Sequence, residues 1–220
     1  MSDLLPVHGF VLAGGKSSRM GVDKATLNFS GRPMVEIAVE KLRGFCADVS
    51  IAGNREDLAR FAPVVPEDRV DAGPAAGIEA GLKASQQDWA LFVPVDVPMV
   101  PAELLRRWAE KALERANDGL AISNLYVGRN QPVFCMIRRS GSKTFSRELD
   151  NGEHRLTRLF QLLEADGGSY WSHDLNDLYP ENNPSIEVSD LWFSNVNTPE
   201  DLLDAEAKDA NTRRFRPGDC

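Results

Sequence analysis

An apolar run from Gly9 to Ala13 stops abruptly at Gly14-Gly15, and a loop rich in hydroxyls and cations follows, Lys16-Ser17-Ser18-Arg19-Met20-Gly21-Val22-Asp23-Lys24. An unbroken apolar stretch of this kind suits a strand buried on both faces of a parallel sheet. Gly14 and Gly15 can take backbone angles closed to other residues, which lets main-chain N–H groups approach a ligand closely. A nest of such amides is a concave anion site. The bland alternative is an ordinary glycine turn beside a solvated basic loop. Against it, four cations (Lys16, Arg19, Lys24, Arg32) face one acid, Asp23, in a chain of formal net charge −8. A positive island in an acidic protein focuses field where an anion is wanted, so the balance favours a polyphosphate.

Two familiar phosphate loops are excluded by spacing. A P-loop ends in Gly-Lys-[Ser/Thr], as Gly15-Lys16-Ser17 does, but its leading glycine would fall on Phe10. In the dinucleotide fingerprint, Lys16 stands where the second glycine belongs.

Composition narrows the class. At 220 residues, with 42% hydrophobic and 26% charged residues, the chain suits one domain with a real core. We expect that domain over 1–210 and a polar tail over 211–220. No apolar run approaches membrane-spanning length, and the N-terminus lacks a signal-peptide pattern. Cys46, Cys135 and Cys220 are scattered, which reads as reduced thiols in a cytoplasmic protein. The dispersed His8, His154 and His173 give no support to zinc chemistry. Acidity argues against a nucleic-acid groove and for a small anionic substrate.

Along the chain, strands are expected at His8–Leu12, Asp48–Ala52, Val64–Val65 and Trp89–Val93, with Ala25–Phe29 a short extended piece. Helices are expected from Pro33, over Glu56–Phe61, Gly77–Ser85 and Ala102–Arg115. The alternation predicts an α/β fold with a doubly wound, mostly parallel sheet. The strand at Trp89 delivers Pro94-Val95-Asp96-Val97-Pro98, placing an acid at the carboxyl end of a central strand, where open α/β sheets bind ligands. The second half changes character: Leu120–Tyr126 and Gln131–Ile137 predict an antiparallel hairpin, and Ser140–Leu149 and Leu156–Ala165 read as helices. Gly167–Asp190 reads as an irregular surface excursion or a binding loop, and Leu191–Ser194 as a returning strand. In Thr198-Pro199-Glu200-Asp201, Thr198 is a good N-cap, Pro199 a good first helical residue and Asp201 a capping acid. The cap does not explain two amides just before it, Asn195 and Asn197.

The stretch Leu12-Ala-Gly-Gly-Lys-Ser-Ser-Arg-Met-Gly-Val-Asp-Lys24 resembles the opening motif of the molybdenum cofactor guanylyltransferases. Further pieces match in order: Gly53-Asn54-Arg55, Glu67-Asp68, Gly73-Pro74-Ala75-Ala76-Gly77, Pro94-Val95-Asp96-Val97-Pro98, Gln131-Pro132, Gly152-Glu153-His154-Arg155 and Asn195-Val196-Asn197-Thr198-Pro199-Glu200-Asp201-Leu202. The likeness spans about Gly9 to Leu203. Ala-Gly-Gly with Asp23-Lys24 looks like the guanylyl branch, whereas related cytidylyl enzymes usually read Ala-Ala-Gly. Two positions depart from the pattern: Ala52, where the family often has Asn, and Val95, where it often has Cys.

The resemblance implies a single-domain, Rossmann-like nucleotidyltransferase fold. It implies transfer of GMP from GTP to the terminal phosphate of molybdopterin, with pyrophosphate released. It implies nucleotide contacts at Leu12, Ala13, Gly14, Gly15, Lys16, Ser17, Lys24, Asn54, Asp68 and Asp96. Within this set, Gly14, Gly15, Lys16 and Arg19 would hold the outer phosphates, Lys24 would stand near the α-phosphate, and Asp96 would hold Mg²⁺. Lys24, Arg19 and Asp96 are the candidate catalytic residues. Asp68 contacts the sugar or base edge, or forms a turn; Asn54 reads the base, or caps a helix. Asn195 and Asn197 serve the acceptor or the surroundings of the metal, or form a turn. Partners implied are GTP, molybdopterin and the molybdoenzyme apoproteins or their chaperones, with no nucleic acid and no membrane. The alternatives are a cytidylyltransferase or sugar-phosphate nucleotidyltransferase of the same fold, or a non-catalytic nucleotide-binding regulator.

Overall fold

The computed structural model describes residues 4–14, 23–69, 71–115, 121–127, 129–179 and 190–213. Its centre is a seven-stranded sheet. In chain order the elements are β1 (Leu5–Leu12), a two-residue hairpin β2 (Asn28–Phe29) and β3 (Arg32–Pro33), α1 (Met34–Arg43), β4 (Cys46–Ala52), β5 (Val64–Val65), α2 (Pro74–Ala84), β6 (Trp89–Pro94), α3 (Ala102–Arg115), β7 (Ala121–Val127), β8 (Arg129–Arg138), α4 (Ser142–Asp150), α5 (Leu156–Ala165), β9 (Ser169–Asp174), α6 (Leu175–Leu178) and α7 (Pro199–Arg213). The sheet order is β5-β4-β1-β6-β8-β7-β9. The pairs β1–β4, β1–β6, β4–β5 and β7–β9 are parallel, and β8 is antiparallel to both neighbours.

The apolar runs that gave no alternation are buried on both faces. In β1, Val7 and Val11 join the core beneath α1 and α3, while Phe10 and Leu12 join the one beneath α2, α4 and α5. β6 divides likewise, Leu91 and Val93 against Ala90 and Phe92. Successive side chains on a strand alternate faces, so each strand feeds two layers of helices. Helix α3 buries Leu104, Leu105, Trp108, Ala109 and Ala112, one face of a 3.6-residue period. Its buried Trp108 indole donates to Ser123 Oγ on β7 at 2.8 Å, so the ring is buried without an orphaned donor. Helix α2 comes close to the sheet because Gly81 lacks a side chain; a Cβ there would meet Phe92 at 2.5 Å.

Several expectations are corrected. Ala25–Phe29 is not extended throughout: a 3₁₀ turn covers Lys24–Thr26, capped by Asp23, before the β2–β3 hairpin. The helix expected over Glu56–Phe61 is a 3₁₀ turn at Glu56–Leu58. Within the expected irregular excursion, Ser169–Asp174 forms β9, the edge strand paired with β7. Its sequence, Ser-Tyr-Trp-Ser-His-Asp, is too polar to read as a buried strand, and an edge position needs no apolar run. Leu191–Ser194 is a helical turn rather than a strand, with Ser194 N–H donating to Leu191 O at 3.2 Å. Helix α7 continues through Asn211–Arg213, into the stretch expected as tail. Among the described residues no helix is long and apolar enough to cross a membrane.

Candidate active site

From β1 the chain passes through α1 to β4 on one side; from β5 it returns through α2 to β6 on the other. The crevice of such a sheet opens at the carboxyl ends of the two strands where the order reverses, here β1 and β6. Leu12 is the register partner of Pro94, and Val95 N–H donates to Leu12 O at 3.2 Å. Asp96 therefore emerges beside the Leu12–Gly14 tip.

Three distant segments meet there. Lys24 Nζ lies 3.6 Å from Asp96 Oδ2, with side-chain exposures of 29% and 19%. The same ammonium donates to Asn197 Oδ1. Val196 N–H donates to the Asp96 carbonyl at 2.8 Å, so main chain as well as side chain joins the closing segment to the β6 loop. An ammonium, a carboxylate and an amide thus share one half-buried spot. The Asp96 carboxylate suits Mg²⁺, which takes one or two carboxylates and fills its remaining positions with water and substrate oxygens. Among the described residues no group of three or more His, Cys, Asp or Glu side chains could hold a metal, which leaves no all-protein cage.

The turn after β4 serves as a hub on the β4 side of the crevice. Gly53 has φ +145, and a Cβ on it would lie 2.9 Å from Gly14 N, so bare glycine is needed where the two turns touch. Asn54 clamps the next loop in both directions: its Nδ2 donates to Glu67 O and its Oδ1 accepts Glu67 N–H, each at 3.0 Å. Arg55 reaches back to Asp23, Nη1 donating to Oδ1 at 2.8 Å and Nη2 to Oδ2. The Glu67 carboxylate packs against Gly14 and Gly77, and burial raises its pKa. Asp68 is exposed on the same loop.

The other side of the crevice is framed by α7. Asp201 Oδ2 accepts the N–H groups of Asn197 and Thr198, each at 2.9 Å, and Asp201 N–H donates back to Thr198 Oγ1 at 2.9 Å. These bonds, led by that from Asn197 N–H, lower the Asp201 pKa. Beside them opens a cavity of about 810 Å³ whose wall includes Met99, Gln131, Asn195, Asn197, Asp201 and Lys208.

Of the residues expected from sequence, Leu12, Ala13, Gly14, Lys24, Asp96 and Asn197 converge on the crevice, and Asn195 lines the cavity. Asn54 and Asp68 lie on its flank, and the Asn54 side chain holds a loop rather than capping a helix. Gly15, Lys16, Ser17 and Arg19 lie outside the described residues. Arg32 does not belong to the positive island: it pairs with Glu36 at 2.9 Å and Glu40 at 2.6 Å on α1. Sequence reasoning passed over Arg55 and Glu67. A bidentate Arg–carboxylate pair joins residues far apart in the chain, so no spacing rule announces it; the one signal was that both fall in matched motifs.

Comparison with known proteins gives the family and the fold. Residues 9–167 match the family model of the MobA-like NTP transferase domain. A molybdenum cofactor guanylyltransferase of Polynucleobacter asymbioticus is 31% identical over 91% of this chain and 96% of its own length. One from Acidovorax sp. (strain JS42) is 36% identical over 72% of this chain and 81% of its own. The crystal structure of molybdopterin-guanine dinucleotide biosynthesis protein A from Archaeoglobus fulgidus superposes with a TM-score of 0.71 at 22% identity, covering 93% of this chain and 99% of that one, a likeness of fold. Matched by the family model over residues 9–167 and aligned with its relatives over nearly its whole length, the chain belongs to the MobA-like NTP transferase family, alongside the molybdenum cofactor guanylyltransferases.

Proposed function

We propose that the chain transfers the GMP part of GTP to the terminal phosphate of molybdopterin, releasing pyrophosphate and forming the guanine dinucleotide cofactor. The observation that carries this reading is the meeting of Lys24, Asp96 and Asn197 at the tips of β1 and β6. A phosphate oxygen of the acceptor attacks the α-phosphorus of GTP; the bond to the β-phosphate oxygen breaks, and pyrophosphate leaves with the electron pair. The attacking group belongs to the substrate, so the protein needs no side-chain nucleophile. Its task is alignment and neutralisation of the charge gathering around the α-phosphorus.

In this reading the main chain of Leu12, Ala13 and Gly14 seats the nucleotide, with Gly15, Lys16, Ser17 and Arg19 on its outer phosphates and Asn54 and Asp68 beside its sugar and base. Lys24 serves the α-phosphate, where negative charge builds. Asp96 would hold Mg²⁺, which when bound neutralises phosphate oxygens as a hard Lewis acid. Asn195 and Asn197 face the acceptor, for which the cavity of about 810 Å³ beside α7 offers polar walls. The catalytic unit is the single domain over 1–210, working in the cytoplasm, with molybdoenzyme apoproteins or their chaperones receiving the product.

The test is incubation with GTP, Mg²⁺ and molybdopterin, scoring pyrophosphate release beside parallel reactions with CTP and ATP. Release with GTP and acceptor together, and with neither alone, is the expected result. Equal or better turnover of CTP would give the chain to the cytidylyl branch instead.

A further inference from the structure

We propose that Arg55 is a positioning residue for Lys24: acting through Asp23, it sets where the lysine ammonium stands against Asp96 and Asn197. The inference rests on the role given to Lys24 above. Arg55 Nη1 donates to Asp23 Oδ1 at 2.8 Å and Nη2 donates to Oδ2, a two-point contact that fixes the plane of the carboxylate. The same carboxylate accepts Ala25 N–H at 3.1 Å and the Thr26 hydroxyl at 3.3 Å. It therefore fixes the turn whose first residue is Lys24.

Arg55 is itself held. Its side chain is 17% exposed, its Nε donates to Asp57 Oδ1 at 2.9 Å, and its Nη2 donates to Asp57 Oδ2 at 2.7 Å. Two residues earlier in the same turn, Gly53 packs on Gly14. One turn after β4 thus braces the main chain both before and after positions 15–22, at Gly14 and at Asp23.

Charge gives the contact a second effect. Asp23 is an anion next to the lysine that must meet a polyphosphate. Paired with a guanidinium, it neither repels the incoming phosphates at full strength nor competes with Asp96 for the ammonium. Lysine at position 55 could neutralise Asp23 but could not hold both oxygens in one plane.

The experiment measures kcat and KM for GTP by pyrophosphate release, together with Tm, for Arg55→Ala, Arg55→Lys, Asp23→Asn, the Arg55→Ala/Asp23→Asn double variant and Lys24→Ala. A misplacement of about 1 Å costs up to ~100-fold in rate, so Arg55→Ala should lose about 10- to 100-fold in kcat, more than any rise in KM. Arg55→Lys should recover part of that loss. Asp23→Asn should fall comparably, and the double variant should be no worse than the poorer single, because both break one contact. Wild-type kcat in Arg55→Ala overturns the inference, as do losses that multiply in the double variant. If Arg55→Ala does not fold, Arg55→Lys and Asp23→Asn carry the same comparison. An inactive Lys24→Ala beside a fully active Arg55→Ala removes this inference alone. A fully active Lys24→Ala removes the role of the lysine itself, and the inference with it.

Discussion

The Asp201 carboxylate accepts the main-chain N–H of Asn197 at 2.9 Å, and the same oxygen accepts that of Thr198. One side chain in the first turn of α7 therefore holds the chain that enters the helix and orients the amide that meets Lys24. Asp201→Ala removes both functions. Loss of this capping acid in the first turn of α7 should lower Tm by roughly 2–4 °C. Turnover should fall by more than that small destabilisation explains, and Asp201→Asn, whose amide oxygen can accept both N–H groups, should recover part of the rate. Calorimetry beside steady-state kinetics checks the two effects separately. Hydrogen bonding holds the Asp201 pKa below its ordinary value, so its contribution is present above the ordinary carboxylate range and is lost as pH falls below it.

Asp96 and Lys24 stand 3.6 Å apart, and each is expected to matter more to turnover than to folding. Both side chains are partly solvated, so the ion pair itself is worth little, on the order of 0–1 kcal/mol. Removing a group that neutralises transition-state charge costs about 100- to 1000-fold. Asp96→Ala and Lys24→Ala should each reach that loss while retaining native circular dichroism. Wild-type transfer by Asp96→Ala in Mg²⁺ would remove the metal assignment.

Glu79 on α2 is the most enclosed acid in the described part of the chain, with 3% of its side chain exposed. It accepts from Arg69 Nε at 2.6 Å, Lys83 Nζ at 2.7 Å and Ser146 Oγ at 2.6 Å, and Arg69 also pairs with Asp150 at 2.7 Å. Burial alone would push its pKa up, but the bonds from Arg69, Lys83 and Ser146 outweigh it and hold the value at about 2. Because the folded value lies below the ordinary 4.5, the stabilisation is complete above about pH 4.5 and disappears as pH falls toward 2. Glu79→Gln should cost about 2 kcal/mol at neutral pH, less than a fully buried pair because Arg69 and Lys83 reach solvent. Urea melts of both proteins across pH 2–7 should show the difference shrinking on the acid side.

Gly81→Ala sets two effects against each other. Alanine in a helix interior gains about 1 kcal/mol in propensity over glycine. Here the added methyl would lie 2.5 Å from Phe92 Cε1, on a ring stacked at 5.2 Å against Phe10. Neither ring can move aside cheaply, and overpacking costs about 1–3 kcal/mol. The variant should melt lower than wild type; a rise in Tm would mean that α2 can shift off the sheet.

What the sequence disclosed depended on how local the cause was. The strands β1 and β6 were legible because burial on both faces writes an unbroken apolar run. The α7 cap was legible because Thr198 and Asp201 bond within one turn. Asp96 could be placed because strand ends follow from strand positions. β9 was hidden: an edge strand of Ser, Tyr, Trp, His and Asp is defined by its partner β7 and not by its own pattern. The same holds for Arg55 with Asp23, and for Glu79 with Ser146, pairs created by folding that no periodicity encodes.

The reversed direction of β8 has a consequence for how such a protein diversifies. The parallel strands β1, β4 and β6 deliver their last residues to the crevice, each followed by a long connection that also builds the fold. β8 runs the other way, so it brings its opening residues, Gln131 among them, to the same edge straight from a hairpin bend. In the proposed reading, the two substrates would be met by differently made parts: the nucleotide by crossover units that cannot be altered without disturbing the core, the acceptor by a short bend and the flank of α7. Replacing or lengthening that bend should retune which phosphorylated acceptor is taken while the nucleotide half stays as it is.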